Sequence, residues 1–148
     1  MAEPRSLELK LESKVDSVDA AEIIVQSLAR DAGYAEDEID HLGMAVRESM
    51  VNAVTHGNSY SADKSIHFSV DLEAGGKLTV GVRDEGAGFE PESVPDPTAP
   101  ENLLKSSGRG LLLMRALVDE FTVRRAEPHG MQLTMVKYGP GGDKEKEK

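Results

Sequence analysis

The amino-acid sequence predicts a two-layer α/β sandwich of the α+β kind, in which a mixed, mostly antiparallel sheet carries its helices on one face. Three observations point there. Five stretches alternate apolar and polar residues with a period of two, so each forms a strand with one apolar face. Three other stretches place apolar residues at helical spacing. Their order is strand, helix, helix, strand, strand, helix, strand, strand, without the strict βαβ alternation of a doubly wound parallel sheet.

The first strand is Ser6 to Ser13, where Leu7, Leu9 and Leu11 alternate with Glu8, Lys10 and Glu12. A helix follows from Asp16 or Ser17, both good N-caps, to Gly33, with Val18, Ala21, Ile24, Val25 and Leu28 on one stripe. The second helix runs from about Ala35 to His56. Glu36, Asp37 and Glu38 in its first turn complement the helix dipole, and Ile39, Leu42, Val46, Met50 and Ala53 form its core stripe. Ile66 to Leu72 and Leu78 to Arg83 make a hairpin about Ala74, Gly75 and Gly76. Asp84 shares the parity of Leu78, Val80 and Val82, so a strand that persists this far turns its carboxylate to the covered side. Periodicity stops between Gly86 and Gly108, a stretch with prolines at 91, 95, 97 and 100. A loop of that length inside a domain is functional or disordered. Gly110 to Asp119 reads as a buried helix, and Phe121 to Arg125 with Met131 to Lys137 form the closing hairpin.

At 148 residues the chain makes one domain, assigned to residues 1–138, with residues 139–148 expected to be a disordered, charged tail. A net charge of −10 argues against direct nucleic-acid binding or an anionic membrane surface, because both need clustered cations. It also means that a polyphosphate would need local help from a metal ion or a helix N-terminus. There is no cysteine, no apolar run long enough to span a bilayer and no signal-peptide pattern at the N-terminus, so the expected location is cytoplasmic.

Three short motifs carry the chemistry. Glu48 and Asn52, four apart, share one face of the second helix. Asp84-Glu85-Gly86-Ala87-Gly88 follows a strand directly. Its two glycines admit a ligand close to the backbone, and its inward Asp can accept a hydrogen bond from an exocyclic amine. Ser107-Gly108-Arg109-Gly110 feeds a helix whose N-terminus offers free N–H groups to an anion. Each motif alone also has an ordinary explanation: a solvated helix face, a turn and a flexible helix entry.

In this order, with Glu48-Ser-Met-Val-Asn52-Ala-Val-Thr-His56-Gly57 and Gly110-Leu111, the motifs resemble those of the GHKL ATPases, the Bergerat fold. The wording around Asn52 and Gly110 is most similar to the bacterial anti-sigma-factor serine/threonine kinases. The resemblance implies a kinase that binds ATP and Mg²⁺, phosphorylates a STAS-type anti-sigma-factor antagonist and sequesters a sigma factor, with a homodimer as a further expectation. It assigns Glu48 as general base, Asn52 as the Mg²⁺ ligand and Asp84 as the reader of the adenine amino group. Gly86 and Gly88 would line base and ribose, and Gly108, Arg109 and Gly110 would wrap the phosphates. Lys105 would supply a further cation, and residues 90–107 would form the lid. A partner-switch module that binds ATP without transferring phosphate, a stand-alone ATPase and a histidine-kinase ATPase domain are the alternatives. The sequence departs from the family in placing Met131 after Gly130, where many members carry a Thr.

Overall fold

The computed structural model describes residues 3–61, 63–86 and 106–139. Strand β1 (Arg5–Glu12) leads into helix α1 (Val15–Asp31) and helix α2 (Glu36–Asn52), which continues as a π-helical turn, Ala53–Gly57. Strands β2 (Ser65–Leu72) and β3 (Leu78–Arg83) form a hairpin. Helix α3 (Ser106–Leu117) and strands β4 (Glu120–Arg125) and β5 (Met131–Lys137) complete the described chain.

The sheet runs β1-β2-β3-β5-β4, and all four pairings are antiparallel, so the mixed component expected from the sequence is absent among the described residues. Period-two patterning explains why the helices share one face. Ile66, Phe68, Val70 and Leu72 of β2, Leu78, Val80 and Val82 of β3, and Met131, Leu133 and Met135 of β5 are buried, whereas His67, Ser69, Thr79 and Thr134 between them are only partly covered. The buried residues of β2 and β3, with Met135 of β5, meet Val18, Ala21 and Val25 of α1 and Ile39, Leu42, Val46 and Met50 of α2 in one core. At roughly 25 cal/mol per Å² of apolar surface, this shared core supplies the main driving force for folding.

Two connections hold the helices in place. Tyr34, between α1 and α2, is 5% exposed and donates its hydroxyl to the carbonyls of Gly76 at 2.7 Å and Lys137 at 2.9 Å, tying the helices to the far ends of β3 and β5. Burial in that position, next to the Glu38 charge, pushes the Tyr34 hydroxyl above its ordinary pKa. Arg47 of α2 reaches Asp19 and Glu22 of α1, both at 2.8 Å. The β1 end is covered less completely. There Leu7 and Ile23 are exposed beside a groove of about 420 Å³, also lined by Ile24, Leu28 and Val70.

Two helices differ from the sequence reading. The expected α2 extends to His56, but its α-helical part ends at Asn52 and the last turn widens, with the Asn58 amide reaching back five residues to the Ala53 carbonyl at 2.8 Å. Val54, Thr55 and Gly57 are weak helix formers, and Thr55 bonds its own side chain to the Val51 carbonyl, which favours loosening of the ladder. Helix α3 begins at Ser106 rather than Gly110 and ends at Leu117 rather than Asp119. Glycine costs about 1 kcal/mol in a helix, which is why the sequence reading stops at Gly110; packing of α3 on α2 offsets that cost.

Candidate functional site

At about 100° per residue, the core stripe of α2 centres on Leu42, Val46, Met50 and Ala53, and the exposed ridge opposite carries Met44 and Val51. The two flanks between them differ. One carries Arg47 and is joined to α1 by its ion pairs. The other carries Glu48 and Asn52, both half-buried, on the side away from α1. Neither is enclosed, so both can meet a ligand that arrives from solvent. Just behind them, Ser49 is fully buried and returns its hydroxyl to the Ala45 and Val46 carbonyls at 2.9 and 3.0 Å.

Asp84 lies one residue beyond β3 and is 8% exposed, on the covered side that strand parity predicts. Burying a carboxylate is costly without partners, and here backbone amides supply them. Oδ1 accepts the N–H of Gly86 at 2.9 Å and of Met131 at 3.2 Å, while the Asp84 amide donates to the Met131 carbonyl at 3.1 Å. No described residue donates to Oδ2. Three glycines crowd this carboxylate. A Cβ at Gly57 would lie 2.2 Å from Asp84 Oδ2, one at Gly86 2.0 Å from the Gly57 carbonyl oxygen, and one at Gly130 2.1 Å from the Asp84 carbonyl oxygen. Gly130 also has φ +96°, which side chains rarely adopt. The end of α2 and the ends of β3 and β5 therefore converge on one carboxylate. Asn52 stands five residues before the glycine that touches it.

A polar chain adjoins Asp84. Glu85 accepts the Ser65 N–H at 2.9 Å through one carboxylate oxygen and contacts His67 Nε2 at 2.7 Å through the other. The Ser65 amide first, and His67 second, hold the Glu85 carboxyl below its ordinary pKa. The Glu85 amide donates to Asn58 Oδ1 at 2.7 Å, and Asn58 Nδ2 donates to Ser13 Oγ at 3.1 Å and to the Ser65 carbonyl at 3.0 Å.

The expected site residues divide as follows. Glu48 and Asn52 share a flank, and Asp84 with Gly86 sits against the turn that follows them. Gly88 and Lys105 lie outside the described residues, as does the expected lid apart from Ser106 and Ser107. Gly108, Arg109 and Gly110 form part of the first turns of α3 instead of the segment that feeds it. The amides of Ser106, Ser107 and Gly108 fall at the N-terminus, where N–H groups lack intrahelical acceptors; the Gly110 amide falls beyond it. The sequence pattern places Gly57 and Asn58 at the close of the second helix, Gly130 in the last hairpin turn and Glu85 within the Asp84 motif, and assigns none of the four to the site. No spacing rule connects residues 57, 86 and 130, because only the tertiary structure brings them together. The Met131 departure leaves the Asp84 anchor intact, since the bond uses a backbone N–H that any residue but proline provides.

Comparison with known proteins identifies the family of the chain. Residues 11–137 match the family described as histidine kinase-like ATPase domain, and the chain belongs to that family. The serine-protein kinase RsbW of Bacillus subtilis is 33% identical over 142 residues, covering 89% of this chain and 84% of that protein. The Staphylococcus aureus protein of the same name is 30% identical over 141 residues, covering 89% and 86% respectively. Among solved structures, one holding the RsbU and RsbW domains of a Mycobacterium tuberculosis protein superposes with a TM-score of 0.63 at 20% identity. It covers 91% of this chain and 32% of its own. The histidine kinase domain of an Erythrobacter litoralis blue-light activated histidine kinase gives 0.55 at 20% identity, covering 82% and 60%. These two likenesses concern the fold alone.

Among the described residues no helix is long and apolar enough to cross a membrane, and no group of three or more His, Asp or Glu side chains is placed to hold a metal ion.

Proposed function

We propose that the protein is a Mg²⁺- and ATP-dependent serine/threonine kinase that phosphorylates a STAS-type anti-sigma-factor antagonist and sequesters a sigma factor in the cytoplasm. The observation that carries this reading is the position of Glu48: a half-buried carboxylate one helical turn before Asn52, on the helix whose closing turn sets Gly57 against Asp84. Its support is the chain-long similarity to proteins named serine-protein kinase.

Phosphoryl transfer requires positioning and charge neutralisation more than covalent chemistry by the protein. In this reading the adenine amino group donates to Asp84 Oδ2, the oxygen to which no described residue donates, and the polyphosphate extends along α2 toward the N-terminus of α3. Glu48 accepts the proton of the substrate hydroxyl as that oxygen bonds to the γ-phosphorus. The bond from phosphorus to the ADP oxygen breaks, and ADP leaves. Asn52 offers an amide oxygen of the kind magnesium accepts, with phosphate oxygens and waters completing the shell, so the residue fits the ion. When bound, the ion neutralises phosphate charge. Gly88, Lys105, Gly108, Arg109 and Gly110 keep their proposed nucleotide roles, and a second copy of the chain belongs to the proposed assembly.

The test incubates the full chain with γ-labelled ATP, Mg²⁺ and a purified STAS-type antagonist, beside Glu48→Gln and Asn52→Ala. The expected result is label on an antagonist serine or threonine with wild type, little with Glu48→Gln at unchanged ATP affinity, and none with Asn52→Ala. Equal labelling by wild type and Glu48→Gln removes the base assignment. Nucleotide binding without transfer makes the protein a non-catalytic partner-switch module, and phosphate released to water alone makes it an ATPase.

A further inference from the structure

We infer that Asn58 is a positioning residue for nucleotide binding, acting through the Glu85 amide to hold the loop that carries Asp84. The inference deepens the functional reading above and rests on it.

The starting point is the cost of burying an unpaired amide side chain. Asn58 is 0% exposed, and a buried amide with unmet donors or acceptors would destabilise the fold. Both of its donors and its acceptor oxygen are bonded, and the partners lie in three separate segments. Nδ2 donates to Ser13 Oγ at the turn between β1 and α1 and to the Ser65 carbonyl at the start of β2. Oδ1 accepts the Glu85 N–H at 2.7 Å, the shorter end of the range for such bonds. The Asn58 amide is itself fixed to the Ala53 carbonyl by the π-helical turn.

Glu85 stands between Asp84 and Gly86, so its peptide sets the direction of the residues on either side. Asp84 is held from the β5 side by Met131 and in its own loop by Gly86. From the α2 side, Gly57 makes close contact with the carboxylate, and among the described residues the hydrogen bond across that junction is the one from Glu85 to Asn58. Loss of this bond leaves the Asp84 loop anchored on β5 through Met131 and on β2 through the Glu85 carboxylate, but without its hydrogen bond to the segment that follows α2, and hence able to shift relative to Glu48 and Asn52. The two ends of the nucleotide would then lose their common frame. An error near 1 Å in such a frame is enough to cost substantial binding or rate.

The side chain has two separable jobs. Its Nδ2 donors serve stability, and its Oδ1 acceptor serves the site. Asn58→Asp keeps an oxygen facing the Glu85 amide but loses both donors; Asn58→Ala loses everything; Ser13→Ala removes one donor's partner only. Calorimetric titration of the full chain with Mg·ATP, paired with urea unfolding of each variant, separates the jobs. Asn58→Ala is expected to bind ATP at least tenfold more weakly than wild type. Asn58→Asp is expected to stay within about threefold of wild type despite a lower urea midpoint, and Ser13→Ala to bind as wild type does. Amide hydrogen exchange at Glu85 reads the tether without nucleotide: slow in wild type and Asn58→Asp, and at least tenfold faster in Asn58→Ala while the amides of β2 keep their protection. Wild-type affinity in Asn58→Ala, or equal losses in Asn58→Ala and Asn58→Asp that follow their stabilities, would overturn the inference and leave Asn58 a purely structural residue. A wild type that binds no ATP sinks the functional reading instead, and the Glu85 exchange rate still decides whether the tether exists.

Discussion

The two ends of the candidate site are built in opposite ways. Asp84 is fixed by two backbone amides, crowded by three glycines and backed by the hydrogen bond from Glu85 to Asn58, so its position depends on three different segments of the chain. Glu48 and Asn52 depend on one helix, at half-buried positions on its flank. The Asp84 end is thus preorganised by tertiary structure, whereas the α2 flank keeps side-chain freedom. That division suits a site that must recognise a fixed base at one end and let a protein hydroxyl approach at the other.

The sharpest way to break this comparison is Glu48→Gln. Phosphoryl transfer to the antagonist should fall by about 10² to 10⁴, the usual worth of a general base, while stability stays within about 0.5 kcal/mol because the flank carries little structural weight. Single-turnover labelling and urea unfolding on the same preparation check both halves.

The reverse pattern belongs to Gly130→Ala. Its Cβ meets the Asp84 carbonyl oxygen at 2.1 Å in a backbone conformation that alanine resists, so stability should drop by about 3 kcal/mol, with ATP affinity lost in the same variant. Denaturant unfolding measures it, and a loss below about 1 kcal/mol would mean that the junction is looser than the glycine contacts indicate.

Asp84→Asn tests the two carboxylate oxygens separately from the backbone. An amide oxygen can still accept from Gly86 and Met131, while the second oxygen becomes a donor unable to receive the adenine amine. ATP affinity should fall roughly 10- to 100-fold, as when a charge-assisted hydrogen bond is removed. Calorimetry reads this, and an unchanged affinity would move adenine recognition away from Asp84.

Glu85→Gln gives the smallest effect. Because the folded Glu85 carboxyl sits below its ordinary pKa, its stabilising contribution is full above the unfolded carboxylate pKa, near 4.3, and is lost as pH falls through the lower folded value. The variant should lose about 0.5 kcal/mol at neutral pH and show a flatter stability profile than wild type in that acid window. Urea midpoints measured from pH 6 down to pH 3 supply the comparison.

Much of the fold could be read from local patterns. Leu7, Leu9 and Leu11 marked β1, Phe68 and Val80 marked strands covered on one side, and Ile39, Leu42 and Val46 marked the face of α2, because period two and period 3.6 are properties of short segments. The same locality explains the misplaced helix ends. Whether Gly108 and Gly110 join α3, or Thr55 and His56 leave α2, turns on contacts with other elements that weigh against propensities near 1 kcal/mol. Of the site, the Glu48 and Asn52 pair and the inward Asp84 were legible for the same reason, each being a relation within one element.

By itself, then, the sequence determined the strands, the helices, the face each buries and the three motifs, since all of these follow from spacing along the chain. Only the tertiary structure decided that Gly57, Gly86 and Gly130 would close on one carboxylate and that Asn58 would join Ser13, Ser65 and Glu85. Those contacts span separations from a few residues to more than forty along the chain. They exist because burial of one shared core forces the ends of α2, β3 and β5 together. At that crowded junction glycine is required by the neighbouring backbone, and an amide side chain is required because one group must both donate and accept.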